Sequence, residues 1–515
     1  MPRLSLKPDS SFFRKIVVGA MGARAVCDDM ATLGHEFVEL ERGSTDSKLW
    51  RDVKRKRVRI PDLVCLRCGQ RIESRAKTKN ELAMSHSEQA ERTWDFGMVP
   101  QDWIAFPICE PVAERERRTG RLSESTSYWH ERNWVEWAVK GCINYFSVEA
   151  FRSRLHARSR TKGVTEGTEN VISWDATFSS RNGPVLSVSK STGKIKIALE
   201  DGSRPYTWTI PEQCDILVST GDYVRERQII AASVTPFARN ELVCPGALPD
   251  EHIVSLLSSR ERTQRFTGIK LARLLGRDEH ETVVQELAND EEEDVYVRLE
   301  AVSYLVACCG APAEFCFRSY LQSGDPQTQL EGVIALGDAR TQEAVDLLAR
   351  ILSAPNSPYF LKSAAAWSLG QIGSEQANDE LVSAFANVGD GLRYEALESL
   401  VGAGAAASES LLQGLQNTDE NVVAGCAEAL RQLDCVPQAV VERLLGSIRR
   451  DAPNRWVVWL VSHLPREHVN TAIAELQHDS PELHYAVTLI WSFLDSWISK
   501  HWEVNPAAHL PADEW

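Results

Sequence analysis

The stretch Arg59-Ile-Pro-Asp-Leu-Val-Cys-Leu-Arg-Cys-Gly-Gln-Arg-Ile-Glu-Ser-Arg-Ala-Lys-Thr-Lys79 predicts two short strands joined by a tight turn. Side chains two positions apart on a strand share one face of a sheet. Glu73, Arg75 and Lys77 are therefore expected to project together. If Asp62 of the first strand lies alongside, two carboxylates and a cation converge, which is the arrangement that a divalent metal ion and a phosphodiester require.

Charge is distributed unevenly along the chain. Its 515 residues include 57 Lys+Arg and 72 Asp+Glu, which gives a net charge of −15. Residues 1–170 hold 30 basic and 24 acidic side chains and residues 171–245 hold 8 of each, whereas residues 246–515 hold 19 basic and 40 acidic side chains. The basic excess coincides with the two-strand stretch. We therefore expect the N-terminal part to attract a polyanion that the acidic C-terminal part would repel.

Length and composition also limit the kinds of protein that this chain can be. A chain of this length predicts two to four domains. No apolar run approaches 18 residues, so no membrane-spanning segment is expected. Twelve cysteines spread over the whole chain are typical of reduced thiols, which favours a cytoplasmic protein.

The C-terminal half is a repeat array. Its apolar helical segments end on leucines that are 30 to 33 residues apart: Leu274, Leu305, Leu336, Leu369, Leu400, Leu430 and Leu460. A fixed period with two amphipathic segments per unit predicts an α-solenoid. The units resemble short HEAT-like repeats. We expect an all-α solenoid over residues 246–515, closed at its C-terminal end by a tryptophan-rich capping helix.

Residues 171–240 change to strand-like alternation, with Gly and Asn turn signals between the segments. The phrase from Ile216 to Ala231 contains Gly-Asp-x-Val and Gln-x-Ile-Ala, and it resembles the closing hairpin of barrel-sandwich-hybrid modules. We therefore expect a small β-barrel-like domain between the N-terminal domain and the solenoid.

The N-terminal domain, residues 11–158, mixes helix and strand in the order α-β-β-β-α-β. Small and apolar residues at helical spacing predict a helix over 12–33, suited to close packing on a sheet. The other predicted elements are strands at 36–40, 57–67, 71–78 and 102–108 and helices at 81–93 and 128–151.

This element order, with Pro61-Asp62 and with Glu73 eleven residues after Asp62, resembles the PD-(D/E)xK or restriction-endonuclease-like superfamily. The resemblance implies an α/β domain in which a helix packs on a small mixed sheet, with Asp62 and Glu73 as ligands of Mg²⁺ or Mn²⁺. Arg75 stands where that family has a lysine, and arginine can neutralise a phosphate but cannot accept a proton. Either Lys77 has taken the role of that lysine, or Arg75 clamps the phosphate, or the domain only binds nucleic acid.

Cys65-Leu-Arg-Cys68-Gly69 offers a second interpretation of the same stretch. Two thiolates in this spacing supply half of a tetrahedral zinc site, and a structural site needs two more ligands. Otherwise the two cysteines are buried thiols on a turn. The candidates for the missing ligands are all single residues: Cys109, Cys27, His35 and His86.

A basic run precedes the two-strand stretch. It is expected either to follow a nucleic-acid backbone or to form a solvated loop and edge strand. The cations of this run that we assign to nucleic-acid binding are Lys54, Arg55, Lys56, Arg57 and Arg59.

The sequence therefore predicts a metal-dependent endonuclease that hydrolyses DNA phosphodiesters with Asp62, Glu73, Lys77 and Arg75. A role in prokaryotic restriction or anti-phage defence fits this architecture by fold-level analogy. The solenoid is expected to bind a protein partner or a second copy of the chain, or to regulate access to the site. The alternative is a non-catalytic HEAT-repeat scaffold whose N-terminal domain is a degenerate nucleic-acid-binding or zinc-binding module.

Overall fold

The structure, a computed structural model, describes residues 10–41, 59–87, 93–111, 137–154, 156–160, 170–198, 204–387, 389–433, 436–450, 455–464 and 466–498. These residues form two compact units, which divide between Leu275 and Gly276. The division lies inside the predicted repeat array. Each unit is described by itself.

Among the described residues, the first unit contains seventeen strands and four α-helices. Its strands are β1 (Phe37–Glu39), β2 (Leu63–Cys65), β3 (Arg71–Ser74), β4 (Leu82–His86), β5 (Trp103–Phe106), β6 (Cys109–Pro111), β7 (Trp137–Val139), β8 (Asn144–Ser147), β9 (Ala157–Arg160), β10 (Asn170–Trp174), β11 (Ala176–Phe178), β12 (Gly183–Ser189), β13 (Lys194–Ile197), β14 (Tyr206–Thr209), β15 (Asp215–Ile216), β16 (Tyr223–Val224) and β17 (Ile229–Ala232). Its helices are α1 (Ser10–Ala31), α2 (Val148–Arg152), α3 (Asp250–Leu257) and α4 (Arg262–Leu274).

A five-stranded mixed sheet in the order β1-β2-β3-β5-β8 is the centre of this unit. β1, β2 and β3 pair antiparallel, β3 pairs parallel with β5, and β5 pairs antiparallel with β8. Helix α1 contributes to a core with the strands of this sheet, in which Val26 and Met30 meet Leu63, Ile72 and Ala105. The predicted helix over 12–33 and the predicted strands at 36–40 and 102–108 are confirmed. The predicted strands at 57–67 and 71–78 are present as the shorter β2 and β3, and residues 57 and 58 lie outside the described residues.

Two predicted helices of the N-terminal domain are wrong. Within 81–93 the structure has strand β4, which pairs with β10 and buries Leu82 and Met84 in an aromatic core with Trp94 and Trp174. Within 128–151 the described residues form β7, β8 and the start of α2, while 128–136 lie outside the described part. In both segments long-range strand pairing outweighs the local helical spacing of apolar side chains.

Strands β11 to β17 form two small sheets in the region predicted as a β-module. One sheet has the order β14-β13-β12-β16 and the other the order β11-β17-β15. Val185, Ile195, Ile197, Val224 and Ile230 belong to one buried core that both sheets share. β16 pairs with β12 and β17 pairs with β11 and β15, so the segment predicted as a closing hairpin joins these two sheets.

The second unit is an all-α solenoid, as the 30-to-33-residue period predicted. Its helices are α5 (Glu281–Asn289), α6 (Val295–Cys309), α7 (Ala313–Leu321), α8 (Pro326–Ala339), α9 (Gln342–Ser353), α10 (Tyr359–Ile372), α11 (Glu375–Ser383), α12 (Asp390–Ala403), α13 (Ser408–Gly414), α14 (Glu420–Gln432), α15 (Gln438–Arg450), α16 (Arg455–His463), α17 (Arg466–Asp479) and α18 (Pro481–Ile498). The even-numbered helices from α6 to α16 each pack on the next even-numbered helix and form one row.

Neighbouring helices of that row are joined by buried hydroxyl groups. Ser303 of α6 donates to the carbonyl oxygen of Ala335 at 3.0 Å, and Ser368 of α10 donates to the carbonyl oxygen of Val333 at 3.2 Å. The predicted C-terminal capping helix is present as α18, whose Trp491 donates to the Ser462 carbonyl oxygen of α16 at 3.1 Å. Among the described residues, no helix is both long and apolar enough to cross a membrane.

Candidate active site and cysteine–histidine cluster

The β2–β3 pairing places Asp62 beside Glu73. Leu63 lies opposite Ile72 and Val64 lies opposite Arg71, so the next pair along this ladder is Asp62 with Glu73. The Asp62 carboxylate accepts a hydrogen bond from the backbone N–H of Ser74 at 2.7 Å. The two carboxyl groups that the sequence predicted as metal ligands therefore lie next to each other, at the end of the hairpin opposite its turn.

Both carboxyl groups are costly to ionise in this position. Burial, the neighbouring Glu73 and then Glu41 raise the pKa of Asp62 well above its ordinary value. Burial also raises the pKa of Glu73, although Arg75 and Arg59 act in the opposite direction. Burial disfavours the charged form of both acids, and the charge of Glu73 further disfavours that of Asp62, so a bound cation would stabilise the pair.

Arg75 lies at these carboxylates. Its Nη2 atom is 3.0 Å from Oε1 of Glu73, and the same nitrogen donates to the carbonyl oxygen of Trp94 at 3.2 Å. The side chains of Arg75 and Glu73 keep 27% and 14% of their area exposed, so the ion pair is reachable from solvent. The structure thus brings together Asp62, Glu73 and Arg75.

Lys77 lies farther along the same segment, beyond the end of β3. Its backbone forms a parallel bridge with Ile108. Burial lowers the pKa of the Lys77 ammonium from its ordinary value to about 8, with a smaller contribution from Arg75 in the same direction, while Glu81 opposes the shift. The charge of Arg75 thus contributes to the lowered pKa of Lys77, and with a pKa of about 8 the Lys77 amine can lose its proton in the physiological pH range.

Of the predicted nucleic-acid-binding cations, Arg59 alone lies within the described residues. Its Nη1 atom donates to the carbonyl oxygen of Thr93 at 3.4 Å, and its charge acts on Glu73. It therefore belongs to the surroundings of the carboxylate pair. Lys54, Arg55, Lys56 and Arg57 lie outside the described residues.

Sequence reasoning missed a buried ion pair two residues before Glu73. Arg71, with 3% of its side chain exposed, pairs with Asp102 through Nε at 2.8 Å and Nη2 at 2.5 Å. Its Nη1 atom also donates to the carbonyl oxygen of Thr263 and to Oγ1 of Thr267, both on α4. The alternation along β3 puts Arg71 on the face of Glu73, so α4 covers part of the face that carries the candidate site.

Lys270 strengthens this attachment of α4 to the sheet. It is buried, and its Nζ atom donates to the carbonyl oxygen of Leu40, which follows β1. Leu40 in turn donates its N–H to the carbonyl oxygen of Asp62. The helix predicted as the first part of the solenoid is therefore a structural neighbour of the carboxylate pair.

At the β2–β3 turn, side chains of His35, Cys65, Cys68 and Cys244 form a cluster. One ligand atom from each of the four lies within 4.8 Å of all the others. The Nδ1 atom of His35 is 3.6 Å from Sγ of Cys68, and the backbone N–H of Glu36 donates to Sγ of Cys65 at 3.5 Å. Hydrogen bonds from Cys68 and then from His35 hold the pKa of the Cys65 thiol below its ordinary value.

Two members of the cluster were not assigned from the sequence. His35 was one of four candidates for a missing zinc ligand, and Cys244 was not considered. The other three candidates lie elsewhere: Cys27 on α1, His86 on β4 next to Trp94, and Cys109 on β6 next to Val18. Cys244 has no second cysteine nearby in sequence, so no spacing signal could have identified it.

Comparison with known proteins identifies the solenoid repeats. A family model described as HEAT repeats matches residues 317–401. The match lies inside the helical row of the second unit, so the repeats within 317–401 are similar to HEAT repeats, and the helix packing continues the solenoid beyond them. No curated protein matches the chain.

Several solved structures are similar to about half of the chain. Human deoxyhypusine hydroxylase is 17% identical, with 48% of this chain and 96% of that one covered and a TM-score of 0.20. A designed armadillo repeat protein in complex with a (KR)4 peptide is 14% identical, with coverages of 47% and 97% and a TM-score of 0.19. The CpcE–CpcF complex of phycocyanin lyase from Nostoc is 17% identical, with coverages of 51% and 99% and a TM-score of 0.19.

The raised pKa of Asp62 predicts that Asp62→Asn stabilises the metal-free protein. Asparagine keeps an acceptor for the Ser74 N–H and removes a buried charge that Glu73 and Glu41 repel. A gain of about 1 kcal/mol would raise the Tm by roughly 2–4 °C for a unit of this size. The measurement is thermal unfolding at pH 7.5 without added Mg²⁺ or Mn²⁺, with the exposed Glu212→Gln as the control variant.

The sign of this effect depends on pH. A carboxyl group whose pKa is higher in the folded than in the unfolded state lowers the stability of the folded protein as the pH rises through the unfolded-state pKa, which is near 4 for Asp. The advantage of Asp62→Asn should therefore shrink as the pH falls toward 4. A lower Tm for Asp62→Asn than for wild type at pH 7.5 would contradict this electrostatic interpretation.

Proposed function

We propose that this protein is a metal-dependent nuclease that hydrolyses DNA phosphodiesters at the site formed by Asp62, Glu73 and Arg75. The observation that carries the proposal is that the β2–β3 register, continued by one residue, brings Asp62 next to Glu73, with the pKa of both carboxyl groups raised. The mixed sheet with α1 packed on it agrees with the architecture that the resemblance to the PD-(D/E)xK superfamily implied, and this supports the proposal, whereas strand β4 replaces the second helix of the expected order.

The donor set fits a hard divalent cation. Asp62 and Glu73 supply carboxylate oxygens, which are the ligands that Mg²⁺ and Mn²⁺ prefer, and the raised pKa of each acid means that a bound cation lowers the cost of ionising it. Asp62 and Glu73 are the residues that would hold the ion. The ion would supply Lewis-acid activation of the phosphodiester.

Arg75 would bind the phosphate. Its guanidinium already lies at Glu73 and carries a permanent charge, so it can neutralise a phosphate oxygen without taking part in proton transfer. The site keeps enough exposure for a phosphate to reach that group. Arg75 would thus orient the substrate relative to the two carboxylates.

Lys77 would accept the proton of the attacking water. An amine with a pKa near 8 is partly neutral at physiological pH, and a group of this kind is a suitable general base. The water oxygen would form the new bond to phosphorus and its proton would pass to the Lys77 amine, while the bond from phosphorus to one bridging oxygen breaks and that oxygen takes up a proton from solvent water. This division of roles would explain an arginine at the lysine position.

The solenoid would bind a protein partner that controls the nuclease. The 40 acidic against 19 basic side chains of residues 246–515 oppose direct binding of DNA and favour a partner with a basic surface. The helices α3 and α4 continue the repeat pattern in sequence but pack with the sheet that carries the site.

One observation favours a non-catalytic scaffold as the second candidate. Arg75 neutralises Glu73 with the salt bridge already formed, so the pair is partly compensated without a metal ion. In that function the N-terminal unit would bind nucleic acid through its cations, and the HEAT repeats would bind the protein partner.

We predict that the purified full chain nicks supercoiled plasmid or cuts single-stranded DNA with Mg²⁺ or Mn²⁺, and that EDTA abolishes the reaction. Asp62→Asn and Glu73→Gln should each lower the rate by at least 100-fold, because each removes one of the two anionic ligands. The measurement is the initial rate of cleavage on agarose and denaturing polyacrylamide gels.

The exposed Glu212→Gln is the matched control for these variants, because it also removes one carboxylate and lies in the β-module. It should cleave at the wild-type rate. If Asp62→Asn and Glu73→Gln cleave as fast as Glu212→Gln, the carboxylate pair is not the site. If DNA binds but is never cut with either metal, the scaffold function is the correct one.

Lys77 gives a separate prediction about pH. If its neutral form accepts a proton, the cleavage rate at saturating DNA should rise about tenfold per pH unit below pH 8 and level off above it. Lys77→Arg keeps the charge and cannot be deprotonated, so it should lower the plateau rate strongly while DNA affinity stays within a few-fold of wild type. A Lys77→Arg variant with the wild-type rate and pH profile would exclude Lys77 as the base.

A further inference from the structure

His35, Cys65, Cys68 and Cys244 come from three distant parts of the chain. His35 follows α1, Cys65 and Cys68 bracket the turn between β2 and β3, and Cys244 precedes α3. Three thiols and one imidazole within 4.8 Å of one another are a complete set of soft and borderline ligands. No such set arises from the sequence spacing, so the fold itself assembles it.

The backbone around the four side chains is built to hold them. The N–H of Gly69 donates to the Cys65 carbonyl oxygen at 2.8 Å, and Gly69 has a φ of +75°, which closes the turn of the Cys-x-x-Cys segment. The N–H of Cys244 donates to the Leu33 carbonyl oxygen at 3.0 Å. The N–H of Leu66 donates to the Glu36 carbonyl oxygen at 2.9 Å, so backbone hydrogen bonds hold all three segments together independently of the four side chains.

The hydrogen bond of His35 selects the tautomer that a metal needs. Its Nε2 atom is 2.9 Å from the carbonyl oxygen of Leu242, and a carbonyl oxygen can only accept, so Nε2 carries the proton. Nδ1 is then the unprotonated nitrogen, and it is the atom that lies 3.6 Å from Sγ of Cys68. A histidine that donates one ring N–H to a backbone carbonyl and turns the other nitrogen toward thiols has the usual arrangement of a metal ligand.

We propose that His35, Cys65, Cys68 and Cys244 bind a structural zinc ion. Four protein ligands of this kind complete a tetrahedron and leave no position for water or substrate, which separates this site from the carboxylate pair. With a Zn–S distance of about 2.3 Å, sulfur ligands of a tetrahedral zinc lie roughly 3.8 Å apart. The four ligand atoms here lie within 4.8 Å of one another, so small side-chain rotations would bring them to that separation.

The zinc ion would tie together the elements that position the carboxylate pair. Cys65 ends β2, three residues after Asp62, and Cys68 lies in the turn that leads to β3 and Glu73. Through the zinc ion, His35 would connect this turn to the end of α1, and Cys244 would connect it to the segment that leads to α3. A zinc ion at this point would hold the hairpin in register while leaving its chemistry to other residues. The proposal does not depend on nuclease activity.

The test is the zinc content of the full chain, purified without chelator and measured by inductively coupled plasma mass spectrometry. We expect one zinc ion per chain in the wild type and a loss of at least tenfold in Cys244→Ser. Cys27→Ser is the matched control: Cys27 is also half-buried in the same unit and lies outside the cluster, so this variant should keep its zinc. Equal zinc content in Cys244→Ser and Cys27→Ser would overturn the proposal.

A second measurement on the wild-type chain avoids the risk that Cys244→Ser misfolds. Cys65, Cys68 and Cys244 should resist alkylation by iodoacetamide and become reactive together when a zinc chelator is added, as read by peptide mass spectrometry. Replacement of the metal by Co²⁺ should give the visible absorption of a tetrahedral thiolate site. Absence of zinc with alkylation that the chelator does not change, or a disulfide between any two of these cysteines in the freshly purified protein, would contradict the proposal.

Discussion

The antiparallel pairing of β2 with β3 is the constraint on which the candidate site depends. Leu63 opposite Ile72 fixes the register, and the register decides that Asp62 meets Glu73. A shift by one residue would turn every side chain of one strand to the other face of the sheet and separate the two carboxyl groups. Ile72 and Leu63 resist such a shift because both are fully buried in the core that α1 forms with the sheet.

The polar face of the same sheet is held by different forces. Arg71 and Asp102 form a buried ion pair, and breaking one partner of such a pair leaves an uncompensated charge. Arg71 also binds α4 through Thr263 and Thr267. The hairpin is therefore fixed by apolar packing on one face and by charged hydrogen bonds on the other. The carboxylate pair lies next to this buried ion pair, and its residue Glu73 and the neighbouring Arg75 are partly exposed to solvent.

The sequence predicted those features that depend on short-range pattern. The solenoid follows from a period of 30 to 33 residues, and each repeat contacts its neighbours, so distant parts of the chain cannot override the pattern. The adjacency of Asp62 and Glu73 followed from alternation along two strands joined by a tight turn. These predictions need only residues that are close in sequence.

The features that were missed depend on residues far apart in sequence. β4 was predicted as a helix because its segment has helical spacing, while its strand form is set by pairing with β10. Cys244 is separated from Cys68 in sequence by the whole β-module, and no motif marks it as a member of the cluster. The packing of α4 with the sheet rests on Thr263 and Lys270, which are unremarkable in a repeat helix.

The central claim is that Asp62 and Glu73 together bind a divalent cation. Titration of the full chain with Mn²⁺, followed by electron paramagnetic resonance of the free ion, tests this claim without any assumption about the substrate. We expect a saturable Mn²⁺ site in the wild type and in Glu212→Gln, with affinity lowered at least tenfold in Asp62→Asn and in Glu73→Gln. Equal Mn²⁺ binding by all four proteins, or none by the wild type, would contradict it.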